Sequence, residues 1–436
     1  MNIQTDSRHI PLDDQSVNCI ITSPPYWSLR KYDIPDLVWD GAEGCEHEWG
    51  DFLLNPMKPY ENQVPQTKYT NTSSAEGQNA KAGQFCLQCS AWRGQLGLEP
   101  TIDLYLKHLL QIMDECKRVL RDDGTMWVNL GDSYFGDSPV RKSAKEQFDP
   151  ECQTVLKRSA GGDRRSAASI DGLQAKSLCL IPERFVIEMV NRGWILRNKI
   201  IWHKPNCMPS SAKDRFTVDF EDVFFFVKSR KYWFEQQYDK GAGNKLGKYS
   251  NPKYGEGTGG TMQSAKELTK EEYIEKYQQK NRRCVWTIPT QPYSEAHFAT
   301  FPEALVSPMI RAGCPQFVCK KCGKAREKIL KPKFTNHESK TDSKYEKGSA
   351  ANRMSLLRQA ARERGEEYHQ EFEYLGLTDC GCTAEFEGGI VLDPFCGSGT
   401  VMKVAEQLNR KAIGLDLGYQ TLSVKRLQNV QKELTL

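Results

Sequence analysis

Near the C-terminal end, Asp393-Pro394-Phe395-Cys396-Gly397-Ser398-Gly399-Thr400 follows a short apolar run and opens a helical pattern. Glycines in a strand-to-helix turn let backbone approach a ligand at the carboxyl edge of a sheet, which suits a small polar cofactor. Asp416 closes the next apolar run, at the spacing where Rossmann-like folds place a carboxylate to accept hydrogen bonds from ribose hydroxyls. The segment has neither G-x-G-x-x-G nor the lysine of G-x-x-x-x-G-K-[ST], which argues against a dinucleotide and against a triphosphate cradle. Cysteines form a second chemical group. Cys319-x-x-Cys322 and Cys380-x-Cys382 supply four thiolates around a basic stretch, the donor set of a closed, tetrahedral structural zinc site, with Cys314 as an alternative ligand. Cys45-x-His47 with Cys86-x-x-Cys89 offers three thiolates and an imidazole in a stretch otherwise too polar to build a core.

Fifteen cysteines need a compartment. The start, Met1-Asn2-Ile3-Gln4-Thr5-Asp6, has neither the basic end nor the apolar core of a secretory signal, so a cytoplasmic protein with reduced thiols is expected. Cys19, Cys116, Cys179 and Cys284 lie in apolar patterns and are expected as small core residues, as is Cys396 beside the glycines. The longest apolar runs, such as Val223-Phe224-Phe225-Phe226-Val227, are strand-length and far below the roughly 18 residues of a membrane span, so no membrane partner is expected. A chain of 436 residues, 39% hydrophobic and 27% charged, suits one large globular domain with insertions or a few smaller ones. The net charge of +4 is too small to demonstrate a nucleic-acid partner. Basic residues concentrate from Arg141 to Arg165, at Lys276, Lys280, Arg282 and Arg283, and from Lys320 to Lys333.

Strands and helices must position these groups. Ser16 to Ile21 reads as a buried strand, and the double proline of Thr22-Ser23-Pro24-Pro25-Tyr26 forces the chain out of the ladder. Ile102, Leu106, Leu109, Leu110, Met113 and Leu120 recur at helical spacing, after which Asp122-Asp123-Gly124 is expected to turn into a strand over Thr125 to Leu130. Ile181 to Asn191 reads as a helix stopped by Arg192-Gly193, with strands following at Ile195 to Trp202 and Glu221 to Lys228. The last fifty residues predict strand at 389–393, helix at 398–409, strand at 412–416 and a final helix to about Leu434. Strands alternating with helices predict an α/β sheet covered on both faces.

Together, Thr22-Ser23-Pro24-Pro25-Tyr26-Trp27 and Asp393-Pro394-Phe395-Cys396-Gly397-Ser398-Gly399-Thr400 resemble the amino-DNA methyltransferases, whose catalytic motif is [DNS]-P-P-[YFW] and whose cofactor motif is close to D-P-F-x-G-S-G-T. The catalytic motif comes first here, which resembles the permuted beta class of the N4-cytosine/N6-adenine family. Residues 192–206 and 221–229 look like the family's central strands, and His297 to Leu305 like its segment around the methionine end of the cofactor. The resemblance implies a circularly permuted, Rossmann-like S-adenosylmethionine-dependent methyltransferase fold, and the two cysteine clusters add two zinc-binding insertions to it. It implies catalytic roles for Ser23, Pro24, Pro25 and Tyr26. It implies cofactor contacts from Asp6, Phe301, Pro302, Glu303, Asp393, Pro394, Phe395, Gly397, Ser398, Gly399, Thr400 and Asp416.

The expected chemistry follows from the target. An exocyclic base amine is a poor nucleophile because its lone pair is conjugated into the ring, whereas a methyl sulfonium needs only in-line approach. Acceptors such as the Ser23 hydroxyl and the Pro24 carbonyl, aimed at the amine hydrogens, localise that lone pair and stabilise the developing positive charge. Tyr26 offers a ring for the flipped base of double-stranded DNA. In this family serine at the first motif position goes mainly with cytosine N4, so Ser23 favours site-specific N4 transfer. Adenine-N6 transfer, a structured RNA substrate and a catalytically inactive zinc-finger DNA-binding protein stand as alternatives. A cognate restriction endonuclease is a further expected partner. The expected organisation is catalytic motif at 1–44, zinc insertion at 45–94, transferase core at 95–232, target recognition at 233–300, cofactor segment at 301–313, second zinc insertion at 314–386 and cofactor part at 387–436.

Overall fold

The structure, a computed structural model, describes residues 1–50, 83–135, 173–174, 176–210, 212–240, 279–291, 301–333, 371–428 and 430–431. The chain divides into two compact units, one of Met1–Glu235, Arg283–Phe317 and Glu387–Leu436, the other of Gln236–Arg282 and Val318–Phe386. The basic stretch from Arg141 to Arg165, Lys276, His297 to Thr300 and most of the expected recognition region lie outside the described residues, as does the expected end of the final helix near Leu434.

The first unit is built on eight strands: β1 (Asn2–Gln4), β2 (Val17–Thr22), β3 (Leu120–Leu130), β4 (Ile195–His203), β5 (Phe220–Val227), β6 (Val285–Thr287), β7 (Ile390–Asp393) and β8 (Lys411–Asp416). Their order is β1-β8-β7-β2-β3-β5-β4-β6. From β1 to β3 all neighbours are parallel, β5 runs antiparallel to β3 and β4, and β6 is parallel to β4. The helices are α1 (Ile102–Val119), α2 (Ile181–Asn191), α3 (Glu303–Gly313), α4 (Thr400–Gln407) and α5 (Gln420–Leu427).

Both faces of the sheet are covered, which is why its strands read as apolar runs rather than alternations. Phe224 and Phe226 pack with Leu109 of α1 and Phe185 of α2 in one core. Val223, Phe225 and Val227 face the other way, into a core with Leu305 and Met309 of α3 and Val401 and Val404 of α4. Trp127 lies flat on Phe225 there, with ring centroids 4.1 Å apart.

Local signals set the boundaries. Thr101 caps α1 by accepting from the Leu104 amide at 3.2 Å. Asp132 accepts from the Leu180 and Ile181 amides, so an acid distant in sequence caps α2. The strand after α1 differs from expectation. Asp122-Asp123-Gly124 does not separate helix from strand; β3 begins at Leu120 and absorbs these residues as an irregularity, its pairing with β2 shifting between Val17 and Cys19. Cys19, Cys116, Cys179 and Cys396 are buried as expected, but Cys284 is exposed, because it sits just before the edge strand β6 rather than inside a covered one.

In the second unit, 238–240 pairs antiparallel with 279–281, and 328–333 with 371–377.

Candidate active site

The chain order reverses between β7 and β2. From β7 it passes through α4 to β8 on one side, and from β2 through α1 to β3 on the other. Ligand crevices in open α/β sheets form outside the strand carboxyl ends at such a switch point. The two motifs end those two adjacent strands: Thr22 closes β2 and Asp393 closes β7.

The Thr22 hydroxyl donates to Asp393 Oδ1 at 2.8 Å, and the Phe395 amide donates to the same oxygen at 3.0 Å. Burial lifts the Asp393 carboxyl to about 7, against the pull of those two donors. Asp416 accepts from the Gly397 amide on Oδ2 at 3.0 Å and from the Gly418 and Tyr419 amides on Oδ1 at 2.8 and 3.0 Å. One carboxylate thus ties the glycine turn to the loop after β8. Gly399 is left-handed, with φ of 78°, and a side chain there would come within 2.8 Å of Ser423 Cβ, so glycine lets α4 start against α5.

On the other side, Pro25 accepts through its carbonyl from the Tyr105 hydroxyl at 2.8 Å. The Tyr26 hydroxyl donates to Glu221 Oε2 at 2.8 Å, lies 3.3 Å from Asn129 Oδ1, and accepts from Ser23 Oγ at 3.5 Å. Burial first, and the Glu221 charge second, push the Tyr26 phenol well above its ordinary value, so it stays a donor. The other Glu221 oxygen is ion-paired with Lys204, whose ammonium stands 4.3 Å from the Trp202 ring centre.

A single cavity of about 700 Å³ joins the two sides. It is lined by Asp6, Ser23, Pro24, Pro25, Tyr26, Phe301, Asp393, Pro394, Phe395, Gly397, Ser398, Thr400 and Asp416, all expected from the sequence. Pro302, Glu303 and Gly399 are not on its wall. Glu303 instead accepts from Lys403 at 2.8 Å and from Arg426 at 3.2 Å, and Arg426 also donates to the Ser398 and Thr400 hydroxyls. Asp6 is chelated by Arg8, with contacts of 2.9 Å from Nε and 2.5 Å from the second guanidinium nitrogen. No functional role is read from the sequence for Arg8, Asn129, Lys204, Glu221 or Arg426, although Lys204 and Glu221 fall in the segments 192–206 and 221–229. Glu221 carries a signal nonetheless: two acids, Glu221 and Asp222, stand before the apolar run Val223 to Val227, and Glu221 lines the cavity.

Gly131 presses on the Tyr26 ring, and an added Cβ would lie 2.7 Å from Cε2. Gly131→Ala is therefore expected to displace the ring, slowing the enzyme at least about tenfold and lowering stability by roughly 1–3 kcal/mol. Paired thermal unfolding and rate measurements check this, and an unchanged rate would show that the ring's position does not matter.

Each cysteine cluster closes in space, with its four ligand atoms within 4.8 Å of one another. Cys314 does not join the later one. It is buried elsewhere, its carbonyl accepting from Arg410.

The model of the N6/N4 family described as DNA methylase matches residues 17–316 and 320–424. The chain belongs to that family. It is 26% identical to the Type II methyltransferase M.XycI of Xanthomonas campestris pv. cyanopsidis, over 96% of this chain and 83% of the relative. It is 25% identical to M.SmaI of Serratia marcescens, over 95% of this chain and 86% of that one. Among solved structures, PvuII DNA methyltransferase (cytosine-N4-specific) aligns over 98% of this chain and 86% of its own, with a TM-score of 0.44 and 14% identity. Among the described residues no helix is long and apolar enough to cross a membrane. The family and the permuted α/β fold expected from the two motifs are thus in place, and the chain is a DNA methyltransferase of the N4/N6 family.

Proposed function

We propose that the chain is a site-specific cytosine-N4 methyltransferase acting on a base flipped out of double-stranded DNA, with S-adenosylmethionine as donor. The observation that carries this reading is the shared cavity, which sets Ser23-Pro24-Pro25-Tyr26 beside Asp393 to Thr400 and Asp416 at the switch point. The donor fits the residues present. Asp416 offers a carboxylate toward ribose hydroxyls, the Gly397 turn gives close backbone approach, and Phe301 and Phe395 supply apolar wall. When bound, S-adenosylmethionine supplies an electrophilic methyl group. The chain's own work is to hold the amine. Ser23 Oγ and the Pro24 carbonyl accept its hydrogens and stabilise the charge that grows on nitrogen, while Tyr26, anchored by Glu221, fixes the floor. A hydroxyl at position 23, where other members carry a carboxylate, supports cytosine over adenine.

Structural zinc completes the cofactor set. The thiolates of Cys319, Cys322, Cys380 and Cys382, and the three thiolates with imidazole of Cys45, Cys86, Cys89 and His47, each form a full tetrahedral set with no position left for water. In this reading 45–94 and 314–386 are zinc insertions, 233–300 reads the target sequence, and the protein works in the cytoplasm beside a cognate endonuclease of the same specificity, as its Type II relatives suggest.

Incubation with labelled S-adenosylmethionine and DNA, followed by digestion to nucleosides, tests the assignment. N4-methylcytosine is the expected product. N6-methyladenine would overturn the base assignment, and label on neither base would overturn the activity.

A further inference from the structure

The first cysteine cluster lies outside the cavity, yet it is tied to the cavity wall by buried contacts that the transfer chemistry does not itself require. We propose that a zinc ion held by Cys45, His47, Cys86 and Cys89 fixes that wall through the Trp39–His108–Trp92 stack, and so sets the affinity for S-adenosylmethionine and the rate of transfer. The inference rests on the zinc reading above.

The ligand geometry suits the ion. Zinc with bonds of about 2.3 Å to sulfur and 2.0–2.1 Å to nitrogen places two tetrahedral sulfurs about 3.8 Å apart and a sulfur and nitrogen about 3.5 Å apart. Cys45 Sγ and Cys86 Sγ are separated by 3.9 Å, and Cys89 Sγ and His47 Nδ1 by 3.4 Å. Cys86 and Cys89 flank a tight turn in which the Ser90 amide donates to the Cys86 carbonyl and the Cys86 amide to the Ala91 carbonyl. The two halves of the ligand set come from separate segments, so a bound ion joins the loop after strand 37–39 to the turn between strands 84–85 and 92–94.

Those three strands are two or three residues long, too short to hold register unaided. Their register matters because Trp39 pairs directly with Trp92. The two indoles stack on His108 of α1 with ring centroids at 4.5 and 5.4 Å. His108 is fully buried, and its ring nitrogens lie 3.1 Å from Asp40 and 3.0 Å from Glu99. Glu99, also fully buried, accepts from the Gly97 amide at 2.7 Å on its carboxylate and from the Trp27 indole at 2.8 Å on its carbonyl. Trp27 follows Tyr26, and Gly97 accepts from the Ser28 amide at 2.6 Å, so this link seats the catalytic turn. Two other links reach the cofactor side. Gln95 grips the Tyr32 and Ile34 backbone, and Trp39 carries the Arg8 guanidinium that chelates Asp6. Tyr32, Ile34, Leu37, Trp39 and Gln95 all line the cavity.

The test combines metal content by plasma mass spectrometry, S-adenosylmethionine affinity by calorimetry and single-turnover transfer. Wild type is expected to carry two zinc equivalents. Cys86→Ser should carry one, bind S-adenosylmethionine at least about tenfold more weakly and transfer about 10²-fold more slowly, since misplacement near 1 Å has that effect on a positioned reaction. Cys89→His, which keeps a ligand, should retain both properties and the second equivalent. His108→Asn leaves every ligand in place, so it should retain two equivalents yet show the weaker binding, which separates the link from a folding defect. Cys86→Ser or His108→Asn with wild-type affinity and rate would overturn the proposal while leaving the zinc reading intact. Wild-type protein with no zinc at all would overturn both.

Discussion

Tyr26→Ala is expected to lower single-turnover methyl transfer by about 10²–10³-fold while leaving S-adenosylmethionine affinity within a factor of about three, the pattern of an interaction made mainly in the transition state. The ring sits between Gly131 and the cavity, and its hydroxyl is held by Glu221, so alanine removes both the floor of the base pocket and the group that orders it. Ser23→Ala removes one of the two acceptors proposed for the amine and should fall in the same range, near 10². Glu221→Gln separates position from chemistry. The amide keeps an acceptor for the Tyr26 hydroxyl but loses the ion pair with Lys204, so an intermediate loss, with kcat affected more than KM for the cofactor, marks Glu221 as a positioning residue. Full transfer by both Tyr26→Ala and Ser23→Ala would sink the assigned pocket.

The features legible in the sequence are those encoded by neighbours in the chain. Val223 to Val227 reads as a strand because both faces of that strand are covered, and alternate phenylalanines do enter opposite cores. The cysteine clusters are legible because a turn fixes ligand spacing locally, although their closure across 45–89 and 319–382 is a property of the fold. What is not legible depends on separation. The Tyr26–Glu221 bond joins residues 195 positions apart, and no pattern in either segment names the other. The Trp39–His108–Trp92 stack is hidden for the same reason, since a histidine on an apolar helix face looks like any core histidine. Asp122-Asp123-Gly124 misleads in the opposite direction: turn-forming residues normally end an element, but here pairing with β2 resumes at Cys19 and Thr125 and carries the irregularity within the strand. Arg426 has no motif at all, yet it links Glu303 of α3 to the two hydroxyls at the start of α4.

Asp393 makes the second large prediction, and its sign is opposite to that of an ordinary surface acid. Its carboxyl stands at about 7 in the folded protein against an ordinary value of 3.8, chiefly through burial. A group raised in the folded state holds its proton longer there than in the unfolded chain, so its stabilising contribution is complete below 3.8 and is lost as pH rises through 7. With roughly 1.4 kcal/mol for each tenfold change in proton affinity, the loss across that window is about 4 kcal/mol. In the Asp393→Asn variant the side-chain amide retains an oxygen that accepts from Thr22 and Phe395 but has no charge to bury. The variant is therefore expected to match wild type near pH 4 and to exceed it by about 4 kcal/mol at pH 8, read as diverging urea midpoints. Parallel profiles from pH 4 to 8 would mean that burial does not raise the Asp393 carboxyl in the folded state.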